Sequence, residues 1–285
     1  MSLDKKKIYL DNNATTPVDP RVLEAMLPYF TEKFGNASSV NHAFGWDAEE
    51  AVTIAREQVA RLIGAQPREI YFTSGATEAI NLALLGVCEA NAEQGNHLIT
   101  CGTEHKAVLD TCRQLEKRGF RVTYLDVDES GAIDLDVLRQ AITDQTILVS
   151  LMYANNEIGV IHPLTEISSI TRENGVLLMT DATQAVGKIP FEVQEFDVDL
   201  AAFSAHKIYG PKGIGGLYVR KRPKVDLSPL LFGGGQEKGL RPGTLNVPGI
   251  VGLGKACERC AEEMSTEAQR LREWRDRLEA ELQGM

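Results

Sequence analysis

The sequence predicts an α/β fold built on a mostly parallel, seven-stranded sheet held between helices. Three observations carry that expectation. Strand-like and helix-like stretches alternate along the 285 residues, the order expected of parallel strands joined by helical crossovers. Several strand stretches, such as TILVSLMYA and VLLMTDA, are unbroken apolar runs, the pattern of strands covered on both faces. Composition is that of an ordinary globular protein, 43% hydrophobic and 25% charged. A chain of this length can bury roughly 75% of the surface its unfolded form exposes.

The elements follow in order. AEEAVTIAREQVARLIG, residues 48–64, has helical periodicity and a glycine stop. EIYFTSG reads as a short strand entering a turn, and ATEAINLALLGVCEA as a helix apolar on most sides, hence buried. HLITC is a strand, and AVLDTCRQLEKRG a helix with a glycine C-cap. FRVTYLDVD is a strand, DLDVLRQAI a short helix and TILVSLMYA an apolar strand. LTEISSITRENG is a helix, and VLLMTDA, VDLAAFS and GGLYVRK complete the strands. Residues 221–246, rich in Gly, Pro and charge, predict an extended loop, and helix is predicted from Val247 to the end. The expected division is an N-terminal segment at 1–15, a large domain at 16–250, and a long helix at 251–285.

Charge and cysteine usage exclude several classes. A net charge of −10 and a pI near 5.1 argue against nucleic acid as a main partner, which would call for a basic face. No apolar run approaches the roughly 20 residues of a membrane span, and the N-terminus lacks a signal peptide's long apolar stretch. Cytoplasmic location is the resulting expectation. The five scattered cysteines argue against a disulfide framework. Cys257 and Cys260 form a lone C-x-x-C in a helical pattern, short of the four ligands a zinc site needs. No metal site is expected.

In parallel sheets of this kind the ligand crevice lies beyond the carboxyl ends of the strands, so the residues after each apolar run are the candidates. FTSGATEA puts Ala76 and Thr77 at a helix start, where free amides and the helix dipole make an anion site. A simple Ser or Thr helix cap is the plainer alternative. TEHKAV places His105 after a strand, either as a proton-handling imidazole over a planar ligand or as a helix cap. VLLMTDATQ leaves Asp181 at the end of a buried strand, with Gln184 one turn on. A buried carboxylate needs a partner, which a protonated ring nitrogen or the next helix's amides could be. Lys207 follows Ser204 and His206 at the end of VDLAAFS. It is either a solvated loop lysine or an amine of lowered pKa able to form a Schiff base. Together, anion site, carboxylate and amine fit pyridoxal 5′-phosphate (PLP).

YLDNNATTPVDP, FTSGATEA, TEHKAVLDTCRQLE, NNEIGV, DATQAVGK, SAHKIYGPKGIGGLYVR and GGGQEKGLRPGTLN resemble the cysteine desulfurases, in the NifS/IscS-like branch of the class V aminotransferase group. The resemblance covers nearly the whole chain. It implies PLP fold type I, with a large cofactor-binding domain, a small domain and a homodimer. It implies sulfur transfer from L-cysteine, leaving L-alanine and a protein persulfide for a sulfur-acceptor or scaffold protein, as in iron-sulfur cluster or thio-cofactor assembly. On the same ground Lys207 resembles the lysine joined to the cofactor, and His105 the residue stacked on the ring and assisting proton transfer. Asp181 resembles the partner of the pyridinium nitrogen and Gln184 that of the ring hydroxyl, with Asn156 close by. Ala76, Thr77, Ser204 and His206 resemble phosphate contacts, and Thr244 a phosphate contact given to the neighbouring subunit.

Two departures stand out. Pro242 occupies a position where the family more often has a small residue. The family's reactive cysteine, and the arginine that grips the substrate carboxylate, lie past the position where this chain stops. The expectation is therefore a truncated chain, with the small domain largely missing, partial cofactor binding and no turnover. Selenocysteine lyase, aminotransferase and kynureninase-like activities, or a non-catalytic fragment, remain the alternatives at this point.

Overall fold

The computed structural model describes residues 7–285; the first six residues of the N-terminal segment 1–15 lie outside the described residues. Two short helices, α1 (Pro20–Met26) and α2 (Pro28–Thr31), precede the long α3 (Ala43–Leu62). Neither short helix is predicted above; each is set by proline at its start, and Asp19 caps α1 through Arg21 N. Helix α3 begins five residues before the predicted start, because His42 Nδ1 caps it by accepting from Gly45 N.

The alternation then runs as the sequence predicts: β1 (Ile70–Thr73), α4 (Ala76–Ala90), β2 (His97–Cys101), α5 (Lys106–Lys117), β3 (Arg121–Leu125), α6 (Leu135–Ala141), β4 (Thr146–Ser150), α7 (Leu164–Glu173) and β5 (Leu177–Asp181). Strands β6 (Leu200–Ser204) and β7 (Gly215–Val219) close the sheet, and α8 (Val247–Gln283) ends the chain. The seven strands are ordered β1-β7-β6-β5-β4-β2-β3. The pairs among β3, β2, β4, β5 and β6 are parallel, and β7 runs antiparallel to both its neighbours. The segment at 221–246 is the expected loop, except for one 3-10 turn at Gln236–Gly239.

Successive strand residues feed opposite cores, which explains their continuous apolar runs. Ile99, Val149, Leu178, Ala201 and Tyr218 pack on the face covered by α3, α7 and the first turns of α8. Leu98, Leu148, Met179, Ala202 and Leu217 pack on the face covered by α4 and α5. Burial of the Ile, Val, Leu and Met side chains among these stabilises the sheet by about 1.5–3 kcal/mol each. Gly254 lets α8 close on α3: a Cβ there would lie 2.6 Å from Ala55 Cα. The distal turns of α8 are exposed. Among the described residues, no helix is long and apolar enough to cross a membrane.

Candidate active site

The carboxyl ends of β1, β5 and β6 open onto a cavity of about 820 Å³. Its lining brings together Ala76, Thr77, His105, Asn156, Asp181, Gln184, Ser204, His206 and Lys207, nine of the ten residues singled out from the sequence. The tenth, Thr244, is exposed and lies outside the cavity.

At the β1 end, α4 starts after Gly75, whose φ of +154° suits glycine alone. No side chain of the N-cap residue satisfies the first amides, so the simple-cap alternative is not what the fold uses. These amides and the dipole of a 15-residue helix face the cavity. Close packing behind the turn depends on Gly215, where a Cβ would sit 2.7 Å from Gly75 Cα. Glu78, in the first turn, accepts from Ser74 N at 2.8 Å and pairs with Arg241 at 2.7 Å. Burial raises its pKa, but the bonds from Arg241 and Ser74 outweigh burial and hold the carboxyl below its ordinary value.

His105 takes the helix-cap position that the sequence allowed. It is the N-cap of α5, with Nδ1 accepting from Ala107 N at 3.1 Å, and it lines the cavity. With Nδ1 so occupied, the neutral ring carries its proton on Nε2.

Asp181 ends β5, buried at 6% exposure. Its Oδ1 accepts from Thr183 N at 2.9 Å. The cap contact is thus present, but turns rather than a regular helix follow it. Burial raises its pKa, opposed by the Thr183 bonds and by the charges of His105 and Lys207.

Ser204 is the last residue of β6, and a 3-10 turn, Ala205–Lys207, follows it. The Lys207 ammonium donates to Asn13 O and, at 3.0 Å, to Ala14 O. Burial lowers its pKa, against the charges of Asp181 and Asp11. His206 Nδ1 lies 3.1 Å from Thr15 Oγ1, and burial lowers its pKa as well. Gln184 Nε2 donates to Asn13 O at 2.9 Å. Asn156 sits in the loop after β4, whose shape Asn155 fixes by accepting from Glu157 N and Ile158 N.

Sequence reasoning missed the N-terminal segment as part of this wall. Thr16 ties it down, donating from N to His206 O at 2.9 Å and from Oγ1 to the same oxygen at 3.0 Å. It also missed Glu104, a buried carboxyl that accepts from Met152 N through Oε1 while Oε2 has no partner among the described residues. Burial, more than any other cause, pushes its pKa up to about 8. None of the five cysteines lines the cavity; all are free, four buried and Cys260 half-buried. Among the described residues, no cluster of His, Cys, Asp and Glu could hold a metal ion.

A sheet of this order with a lysine, a buried aspartate and an uncapped helix start around one cavity is the framework of a PLP-dependent enzyme. The chain belongs to the aminotransferase class-V family, whose profile matches residues 8–285. Within that family its relatives are cysteine desulfurases of the IscS type. It is 59% identical over 274 residues to "Cysteine desulfurase IscS" of Anaeromyxobacter sp. (strain Fw109-5), covering 96% of this chain and 68% of that protein. The protein of the same name from Rickettsia massiliae (strain Mtu5) is 57% identical, covering 95% of this chain and 66% of that one. Among solved structures, a "NifS-like protein" superposes with a TM-score of 0.94 at 46% identity, covering 98% of this chain and 76% of that one. "SspA in complex with cysteine" gives a TM-score of 0.85 at 44% identity, over 88% and 72%. The chain thus spans about two thirds of the length of the curated relatives it matches. The cofactor of this family is pyridoxal 5′-phosphate.

Proposed function

We propose that the protein takes part in removing sulfur from L-cysteine, with residues 16–250 as its cofactor-binding domain. The observation that carries the reading is the convergence of an uncapped helix start, a buried aspartate and a lysine of lowered pKa on one cavity. Each suits one handle of PLP. The first amides of α4, with Ala76, Thr77, Ser204 and His206, suit the phosphate. Asp181, buried with one backbone donor, suits a protonated ring nitrogen. Lys207 suits the aldehyde. When bound, the cofactor supplies an electron sink for the pair left on the substrate's Cα.

The chain's own residues do the rest. Lys207, its pKa lowered, removes the proton from Cα and later returns one. His105, held by its Nδ1 bond and lining the cavity, would cover the ring and assist proton transfer. Asp181 would pair with the protonated ring nitrogen, and Gln184 and Asn156 would orient the ring and the substrate. Sulfur leaves cysteine to a thiolate, which becomes a persulfide, and alanine remains. None of the five cysteines is placed to be that thiolate, so these 285 residues alone are expected to release no alanine from cysteine. A persulfide of this kind serves a sulfur acceptor, as in iron-sulfur assembly.

Assembly as a homodimer is part of the reading. Leu27, Phe30, Phe34, Phe44 and Trp46 are each at least half exposed, and the Phe34 and Phe44 rings lie 5.5 Å apart, apolar side chains that suit contact with a second copy. The exposed Thr244 loop is free to reach a second copy. Five free thiols suit a reducing cytoplasm.

Borohydride reduction of the PLP-treated protein, followed by peptide mapping, tests the reading. A reduced pyridoxyl adduct on the peptide bearing Lys207 is expected. An adduct elsewhere, or none, would overturn it.

A further inference from the structure

Lys188 is a partly buried amine to which the function above gives no task. It lies four residues after Gln184, in the turns that follow β5, and its Nζ donates to Gln184 Oε1. Gln184 Nε2 donates in turn to Asn13 O, at 2.9 Å. The same carbonyl accepts from Lys207. Lys188, Gln184, Asn13 and Lys207 therefore form one unbroken chain of hydrogen bonds, whose last three members line the cavity.

We propose that Lys188 is a positioning residue: by donating to Gln184 Oε1, it fixes which end of the Gln184 amide faces the cofactor, so that Nε2–H meets the ring oxygen. The inference rests on reading the cavity as a PLP site. The argument is one of donors and acceptors. The two ends of a glutamine amide are nearly the same shape and differ only in hydrogen-bonding sense. An ammonium has three donors and no acceptor, so it can meet only the oxygen end. The nitrogen end must then turn the other way, where it now finds a backbone carbonyl. An anionic ring oxygen is an acceptor of the same sense and would take over that donor. With the amide reversed, two oxygens would face each other instead.

The lock has a pH limit. Burial, and then the charge of Lys207, push the Lys188 pKa down to about 8, while Cys260 on α8 works the other way. The lock is complete only while the amine is protonated, because a neutral amine can also accept from Nε2. Lys207 itself faces Asp181 on β5 and Asp11 on the N-terminal segment, so those two carboxylates bear on its titration alongside Lys188.

The readout is the pH titration of the visible band of PLP-loaded protein. A donor on the ring oxygen draws away charge that would otherwise hold the proton on the Lys207–cofactor nitrogen. Lys188→Met should therefore raise the midpoint by about one pH unit, and Lys188→Arg, which keeps the donor and the charge, should return it to the wild-type value. Gln184→Met should raise it similarly. The double variant should move it no further than the larger single shift, since both act through one amide. An unchanged midpoint in Lys188→Met, no rescue by arginine, or additive shifts would each overturn the proposal. If Lys188→Met lacks a melting transition, Lys188→Gln replaces it. Its amide both donates and accepts, so it cannot impose a direction, and a raised midpoint is again expected. A wild-type protein with no adduct at Lys207 would overturn the cofactor reading itself, and this inference with it.

Discussion

Two buried aspartates, one ending β5 and the other leading into its neighbour β6, have opposite surroundings. Asp199, just before β6, is fully buried; Arg172 Nη2 donates to its Oδ1 at 2.7 Å, Arg220 Nε lies 3.2 Å from the same oxygen, and Leu178 N donates to Oδ2 at 2.8 Å. Asp181, at the far end of β5, is nearly as buried and accepts one backbone hydrogen bond, from Thr183. The first carboxylate is completed by the protein; the second is left with room for a cationic partner. A charge removed from water must be compensated somewhere. Where the fold withholds that compensation, it is at the end of the sheet where the cavity opens.

The contrast can be tested from several sides. The largest effect belongs to the cavity end: Lys207→Ala should abolish the borohydride-fixed adduct altogether, as read by mass mapping, while leaving the melting transition in place. At the other end, Asp199→Ala strands two arginines and should cost about 3 kcal/mol of stability in urea unfolding. A loss below about 1 kcal/mol would show that Asp197, which also pairs with Arg172 and Arg220, compensates for it.

Glu104 carries the contrast into pH. Its pKa is raised from the ordinary 4.5 to about 8, so the folded state holds a proton that the unfolded state releases. That stabilisation is complete below about 4.5 and is lost as pH rises through about 8. Glu104→Gln should flatten the fall in unfolding midpoint across this window; an equally steep fall in the variant would assign it to other groups. Smaller again, Arg241→Gln removes the partner that neutralises Glu78 beside the α4 amides. PLP affinity should fall about tenfold, or about 1.4 kcal/mol, in equilibrium titration, and Glu78→Gln on top should restore much of it. Smallest of all, Asp181→Asn should change the stability of the cofactor-free protein by less than about 1 kcal/mol, although the same change should weaken PLP retention.

Much of this was legible from residue order. Unbroken apolar strands marked a sheet covered on both faces, and the polar residues after them marked the cavity, because strand ends are where buried backbone gives way to side chains. The antiparallel course of β7 was signalled less directly: Ala205 to Ile214 is too short for a helical crossover. The role of residues 11–15 was hidden for a physical reason. They reach Lys207 through the carbonyls of Asn13 and Ala14, and every residue has a carbonyl. Glu104 and Lys188 were overlooked because their importance lies in what surrounds them, which only the folded chain assembles.

The reversed strand β7 has one more consequence. It stands between β1, which leads into α4, and β6, which leads to Lys207, with β5 and Asp181 beyond. The α4 start nevertheless reaches across β7: a Cβ on Gly75 would lie 3.9 Å from Ser204 Oγ, at the end of β6. Glycine at both 75 and 215 is what lets the two come that close, so bulk added at either would widen the gap a ligand has to span.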